Sequence, residues 1–282
     1  MKRPNADRLL RRIRAINGWF WPAAGYLLCW LDEIQKNLDV RGNIFEIGAY
    51  HGKSAALLAH LLVRPEESLG VCDLFGGPDP GSNGALGFRA AFEHNMRRFT
   101  PAPDKIRIVQ KDAADLTVQD TAAPCRIFHI DGGHSAEHVY RDLDTADRAL
   151  HQEGVVVLDD FHNFAWPGVA EGFFRFMADR PGVFVPLVAG FNKGVLTRPE
   201  ARDVYLRTLD DPAECWRAMP RGPFDVKTIE LCGIETRLFH APSVRSPDLQ
   251  RSVLTLIHQH HPGWADVIAR WTRFHRRRPG VA

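Results

Sequence analysis

The sequence predicts an α/β fold: a mostly parallel sheet with helices on both faces, an N-terminal helix ahead of it and a C-terminal extension behind. Three observations carry the prediction. From residue 43 onward, short apolar runs alternate with helix-periodic segments, the order in which helical crossovers lay strands side by side. Several runs close in an acid, as at Asp73, Asp131 and Asp159, where an open parallel sheet gathers its ligand-facing groups. A length of 282 residues, 45% hydrophobic and 25% charged, suffices for one full α/β domain with appendages.

Residues 1–42 are expected to form a helical cover. Lys2, Arg3, Arg8, Arg11, Arg12 and Arg14 precede an apolar stretch at 19–31, superficially like a signal peptide. That stretch contains Pro22, runs straight into Asp32 and Glu33, and is too short to cross a bilayer. A helix lying on the sheet is the expectation, without stable membrane insertion. The central domain, 43–199, is expected to start with a strand at 43–47, a glycine-containing turn and a helix at 54–62. Next come a strand at 69–72, a Gly- and Pro-rich loop at 76–87 that suits a mobile lid, a helix at 88–99 and a strand at 106–110. A strand at 126–130, a helix at 135–150 with Val139, Leu143, Ala146 and Leu150 on one face, and a strand at 155–158 follow. Segments 183–188 and 194–197 suit a hairpin closing the sheet. In the extension, 200–282, strands are expected at 224–231 and 236–240, and a helix at 249–274 broken at Pro262-Gly263.

The formal charge of +2 supplies no field for nucleic acid, and the basic run 275–278 reads as a solvated tail. Cys29, Cys72, Cys125, Cys215 and Cys232 are scattered and never spaced as CxxC, so neither a disulfide framework nor a zinc cage is expected. A reducing, cytoplasmic setting fits. One chain leaves a homo-oligomer open.

Glu46-Ile47-Gly48-Ala49-Tyr50-His51-Gly52-Lys53-Ser54 puts two glycines where an apolar strand turns into a helix, so that helix N–H groups face a ligand. Asp73 follows roughly 20 residues on, placed to accept both hydroxyls of a ribose. The spacing is ExGxxxG rather than GxGxxG, which argues against a dinucleotide. The third strand runs into Gln110-Lys111-Asp112-Ala113, a polar cluster suited to an adenine amino group. In these motifs the chain resembles the class I methyltransferases that use S-adenosylmethionine (SAM), Rossmann-like enzymes with an acid and glycine turn after the first strand. The resemblance implies Glu46 and Gly48 near the methionyl part, Asp73 at the ribose and Asp112 at the adenine. The full cofactor set expected is Glu46, Gly48, Tyr50, Gly52, Ser54, Asp73, Asp112 and Asp131.

The run Ile130-Asp131-Gly132-Gly133-His134, with Leu158-Asp159-Asp160 later, ends two apolar strands in carboxylates. Asp131, Asp159 and Asp160 should converge at the carboxyl edge, where their repulsion is relieved by a hard divalent cation such as Mg²⁺. This is similar to the metal-dependent O-methyltransferases of the catechol and caffeoyl-CoA types. It resembles more closely a bacterial group, methyltransferase domain 24, that includes macrocin-type enzymes with an IDGxH run and a DD pair. Two departures stand out: Asp160 replaces a frequent Asn, and His134 replaces the catalytic Lys of the catechol type. His134 is then the expected base for an acceptor hydroxyl. Phe161, Phe164, Trp166 and Pro167 suit an acceptor wall, and His162 and Asn163 suit substrate or supporting contacts. Asn192 and Lys193 read as a hairpin turn. The function expected is SAM-dependent, metal-assisted O-methylation of a small-molecule or sugar hydroxyl. A metal-independent methyltransferase and a non-catalytic SAM-binding or partner-binding protein are the alternatives.

Overall fold

The computed structural model describes residues 3–76, 85–211 and 225–240. The helix expected at 249–274, the basic run 275–278 and most of the loop 76–87 lie outside them. Two helices open the chain, α1 (Arg3–Ile13) and α2 (Pro22–Asn37). The second begins inside the apolar stretch because Pro22, with a fixed φ and no N–H, suits the first helical position. The sheet domain continues through β1 (Asn43–Ile47), α3 (Lys53–Leu61), β2 (Leu69–Cys72), α4 (Ala85–Phe99) and β3 (Ile106–Val109). Then come α5 (Val118–Thr121), β4 (Cys125–Ile130), α6 (Ala136–Ala149), β5 (Leu150–Asp159), α7 (Pro167–Asp179), β6 (Val185–Gly190) and β7 (Lys193–Thr197). α8 (Arg202–Leu209), β8 (Asp225–Leu231) and β9 (Ile234–His240) complete the described elements.

The nine strands of the described residues join one sheet in the order β3-β2-β1-β4-β5-β7-β6-β9-β8. β3, β2, β1, β4 and β5 run parallel, whereas β7 pairs antiparallel with both β5 and β6. Two differences from the sequence reading have local causes. β5 begins at Leu150 rather than 155, because Leu150 pairs with Cys125 and carries the polar His151 to Glu153 out to the sheet's lower edge. The short helix α5 was not anticipated, although Thr117 and Asp120 form a reciprocal capping box at its start.

Strand alternation divides the core in two. Ile44, Val71, Ile127, Val155 and Val157 face one cluster with Leu27, Leu28 and Leu31 of α2 and Leu57 and Leu58 of α3. Phe45, Ile47, Phe128, Ile130, Val156 and Leu158 face the other, with Val139 and Leu143 of α6 and Phe173 and Phe176 of α7. Each such fully buried side chain stabilises the fold by about 1.5–3 kcal/mol relative to exposure. No helix of the described residues is long and apolar enough to cross a membrane.

One buried cation crosses the first core. Arg126, near the start of β4, is 1% exposed. It pairs with Asp32 of α2 at 2.9 Å and with Glu67 before β2 at 2.9 Å. It also donates to Gln35 Oε1 (3.0 Å) and to the Leu61 carbonyl (2.9 Å). Gln35 returns a bond to the Arg126 carbonyl, and the Tyr205 hydroxyl of α8 donates to the Glu153 carbonyl. Removing the guanidinium leaves two buried carboxylates short of a partner. Arg126→Met is therefore expected to cost roughly 3–5 kcal/mol, whereas Arg41→Ala, at an exposed ion pair, should leave stability nearly unchanged. Urea unfolding of the two variants checks the contrast.

Candidate functional site

The strand order reverses between β1 and β4, and a cleft of about 1050 Å³ opens at their carboxyl ends, as expected at a topological switch point. Gly48 leaves β1 with φ of +81°, and a Cβ there would stand 1.9 Å from the Asp131 carbonyl oxygen, so the crossing of the two strand ends demands glycine. Gly52 also has positive φ, at +84°. A Cβ on Gly52 would strike Met96 and Phe92 of α4, at 2.5 and 2.9 Å, so helix packing as well as the turn requires glycine here. Tyr50 and Ser54 line the cleft, with Ser54 buried in the first turn of α3.

Asp73, closing β2, shapes this turn. Its Oδ2 accepts from the N–H groups of Ala49 (2.7 Å) and Tyr50 (2.8 Å), and its Oδ1 from Phe75 (2.6 Å). A carboxylate has about four lone-pair sites, so acceptor capacity remains beside the cleft it lines. Asp112, exposed on the cleft wall, accepts from the Ala114 N–H at 2.9 Å and caps a single 3₁₀ turn. Glu46 stays below the wall: it is fully buried, with Oε1 2.8 Å from Nδ1 of His129.

Glu46 begins a row of polar side chains across one face of the sheet. Glu46 pairs in register with His129, and Asp159 with Lys193, on the four neighbouring strands β1, β4, β5 and β7. His129 Nε2 lies 3.9 Å from Asp159 Oδ2, and Asp159 makes an ion pair with the buried Lys193. The Lys193 ammonium also rests 5.2 Å from the centre of the Phe20 ring.

The three carboxylates expected to share a cation all line the cleft, and Asp159 is the charge that presses most on Asp131 while itself pairing with Lys193. Asp159 ends the row against Lys193. Asp131, His134 and Asp160 come together on the cleft wall, with candidate ligand atoms all within 4.8 Å of one another. Asp160 leaves β5 in the left-handed region, at φ of 56°, which Asp tolerates better than most residues. Its Oδ2 lies 3.0 Å from Nε2 of His134, and its Oδ1 accepts from Asn163 (2.9 Å) and Asn192 (2.6 Å). Although burial would raise it, these hydrogen bonds hold the Asp160 carboxyl down at about 2. Asp131 is pushed the opposite way, well above the ordinary carboxylate range, first by burial and then by Asp159. Trp166 stacks on His134, ring centres 4.4 Å apart and 14° from parallel. Phe161 is buried in the second core, whereas Phe164 is exposed.

Several wall residues were not legible as such. Asn17, Gly18, Trp19 and Trp21 close one side of the cleft, with Lys53 donating to the Gly18 carbonyl and Trp19 tilted on Tyr50. Asn192 and Lys193, read as a bare turn, reach the acids. Asp142 of α6 lines the cleft while only 2% exposed. A signal for it existed: an acid beside Leu143, three residues after Val139, lies on the helix's apolar stripe.

Residues 45–161 match the family model of a methyltransferase domain. No curated protein sequence matches the chain. Among solved structures, the O-methyltransferase NovP is similar at a TM-score of 0.51 and 18% identity, over 62% of this chain and 79% of NovP. Cofactor-bound Rv0187 from MTB gives 0.48 and 19%, over 68% and 87%, and an O-methyltransferase from Bacillus cereus in complex with SAH gives 0.46 and 16%, over 70% and 90%. Residues 45–161 thus resemble a methyltransferase domain, the likeness to NovP is one of fold, and the mostly parallel α/β sheet expected from the sequence is the one found.

Asp142 yields a test of the cleft's electrostatics. Burial, and then the charge of Asp112, push its carboxyl up to about 7. An acid raised above its unfolded value of about 4 stabilises the fold below that value and loses the contribution as pH climbs to the folded one. Asp142→Asn, which never ionises, is therefore expected to gain on wild type between pH 5 and pH 8, by at most about 4 kcal/mol. Unfolding of both proteins at the two pH values checks the sign.

Proposed function

We propose that the methyltransferase domain transfers the methyl group of SAM to a hydroxyl of a small molecule or sugar, assisted by a divalent cation such as Mg²⁺. The meeting of Asp131, His134 and Asp160 on the wall of a cleft that also holds the glycine turn carries this reading. The donor set fits a hard cation: two carboxylates crowd one another, and Asp131, pressed by burial and neighbouring acids, gains most from a positive charge. The cofactor fits too, since the turn after β1, Asp73 and the 111–114 segment form a continuous wall. The hydroxyl acceptor follows the O-methyltransferase chemistry of NovP.

Asp131 and Asp160 would hold the cation, which when bound makes an acceptor hydroxyl more acidic. SAM when bound supplies an electrophilic methyl group on sulfur. In the His134 tautomer that donates from Nε2 to Asp160, Nδ1 carries the lone pair and takes the acceptor's proton. Asp160 then steadies the imidazolium, and Trp166 fixes the plane of the ring. Asp159, neutralised by Lys193, supports Asp160 by accepting its backbone N–H at 2.7 Å. Trp19, Trp21 and Trp166 offer flat apolar walls to the acceptor and exclude water. The 1–42 cover and the 43–199 domain would act together here.

Calorimetric titration of SAM, with and without Mg²⁺, on wild type, Asp131→Ala and His134→Ala tests the reading. SAM should bind wild type, and Mg²⁺ binding should vanish in Asp131→Ala. His134→Ala should keep Mg²⁺ and lose roughly 100-fold or more in turnover once an acceptor is found. SAM binding with no metal uptake by wild type would instead make the acids groups that position an acceptor directly. SAM binding without turnover of any hydroxyl would favour a binding protein, and no SAM binding would overturn the reading.

A further inference from the structure

The Asp142 carboxyl lines the cleft close to Cys72, which ends β2, and Asp112, which follows β3, and a Cβ on Gly132 would stand 3.3 Å from its Oδ2. It is 2% exposed, and its Oδ2 has no hydrogen-bond partner among the described residues. Buried carboxyl oxygens are seldom left so, and a polar orphan beside a cavity calls for a donor from whatever fills it. Its surroundings supply acidity rather than donors: Asp112 is the charged neighbour, and burial with that charge pushes Asp142 up to about 7. A ligand bringing a neutral N–H fits such an acceptor better than a cation, which the Asp131 and Asp160 pair already attracts.

The cleft orients that ligand. A methyl group delivered to the Asp131, His134 and Asp160 cluster, at β4 and β5, places the far end of an extended cofactor towards β2 and β3. In SAM that end is the adenine, whose exocyclic amino group is the base's hydrogen-bond donor.

We propose that Asp142 accepts a hydrogen bond from the exocyclic amino group of the cofactor's adenine and thereby selects an adenosyl cofactor. The proposal rests on the use of SAM proposed above, and it moves the buried adenine contact from the exposed Asp112 to α6. Asp112, with one oxygen committed to the Ala114 N–H, stands on the wall beside it.

Calorimetry with S-adenosylhomocysteine and with its purine-riboside analogue, which lacks the amino group, tests the contact. Wild type should bind the amino compound roughly tenfold or more tightly, because the analogue leaves the buried oxygen unpaired. Asp142→Asn, whose amide oxygen still accepts, should keep most of that ratio, and Asp142→Ala should reduce it to within about threefold. Asp142→Ala is expected to fold, since it removes an unpartnered buried oxygen and places a strong helix former inside α6. An unchanged ratio in Asp142→Ala overturns the proposal, as it would if a ribose hydroxyl were the donor instead. Failure of wild type to bind either compound is a different result: it defeats the cofactor reading itself.

Discussion

The guanidinium of Arg126 joins pieces of chain that local propensity would leave independent. Its partners come from α2, from the end of α3 and from the connection into β2, while its own backbone belongs to the central strand β4. A buried cation gains stability only when its donors are all met by well-placed acceptors. One arrangement of α2 over the sheet meets them here. The N-terminal cover is thus held by directional bonds at its base, and its loop, residues 17–21, reaches the cleft at the other end.

The upper end of the same sheet face follows a related rule. Glu46, His129, Asp159 and Lys193 extend the apolar columns of Ile44, Ile127, Val157 and Val195 by one alternation each. Apolar layers below give way to a polar layer where the strands meet the cleft. Because each member comes from a different strand, the row ties together the ends from which the loops depart. Asp160, one residue beyond Asp159, falls on the cleft side of that boundary, and its left-handed backbone turns it towards His134.

Much of this was legible because periodicity reports faces directly. The strands at 43–47 and 69–72 coincide with β1 and β2, and the apolar stripe of α6 lies in the second core as expected. The hairpin of β6 and β7 is also present, though its turn residues proved part of the cleft wall. The sequence reading grouped Asp131, Asp159 and Asp160 by strand end alone. Strict alternation sets Asp131 and Asp159 on one face, a step beyond the paired Ile130 and Leu158, and Asp159 presses on Asp131 accordingly. What alternation does not supply is a partner: Lys193 meets Asp159 only through the antiparallel pairing of β7 with β5. Trp19 and Trp21 were hidden for the same reason, since their place depends on how α2 docks.

That docking has an evolutionary consequence. The glycine turn, Asp73, Asp131 and Asp160 fall within residues 45–161, whereas Trp19 and Trp21 come from a separate stretch nearer the N-terminus. One wall of the cleft is therefore encoded apart from its floor, and the two are joined at Lys53 and Tyr50. Substitutions at the exposed indoles can reshape the entrance without disturbing a strand, a core residue or an acid. Selection can diversify what the cleft admits while the residues beneath it stay as they are.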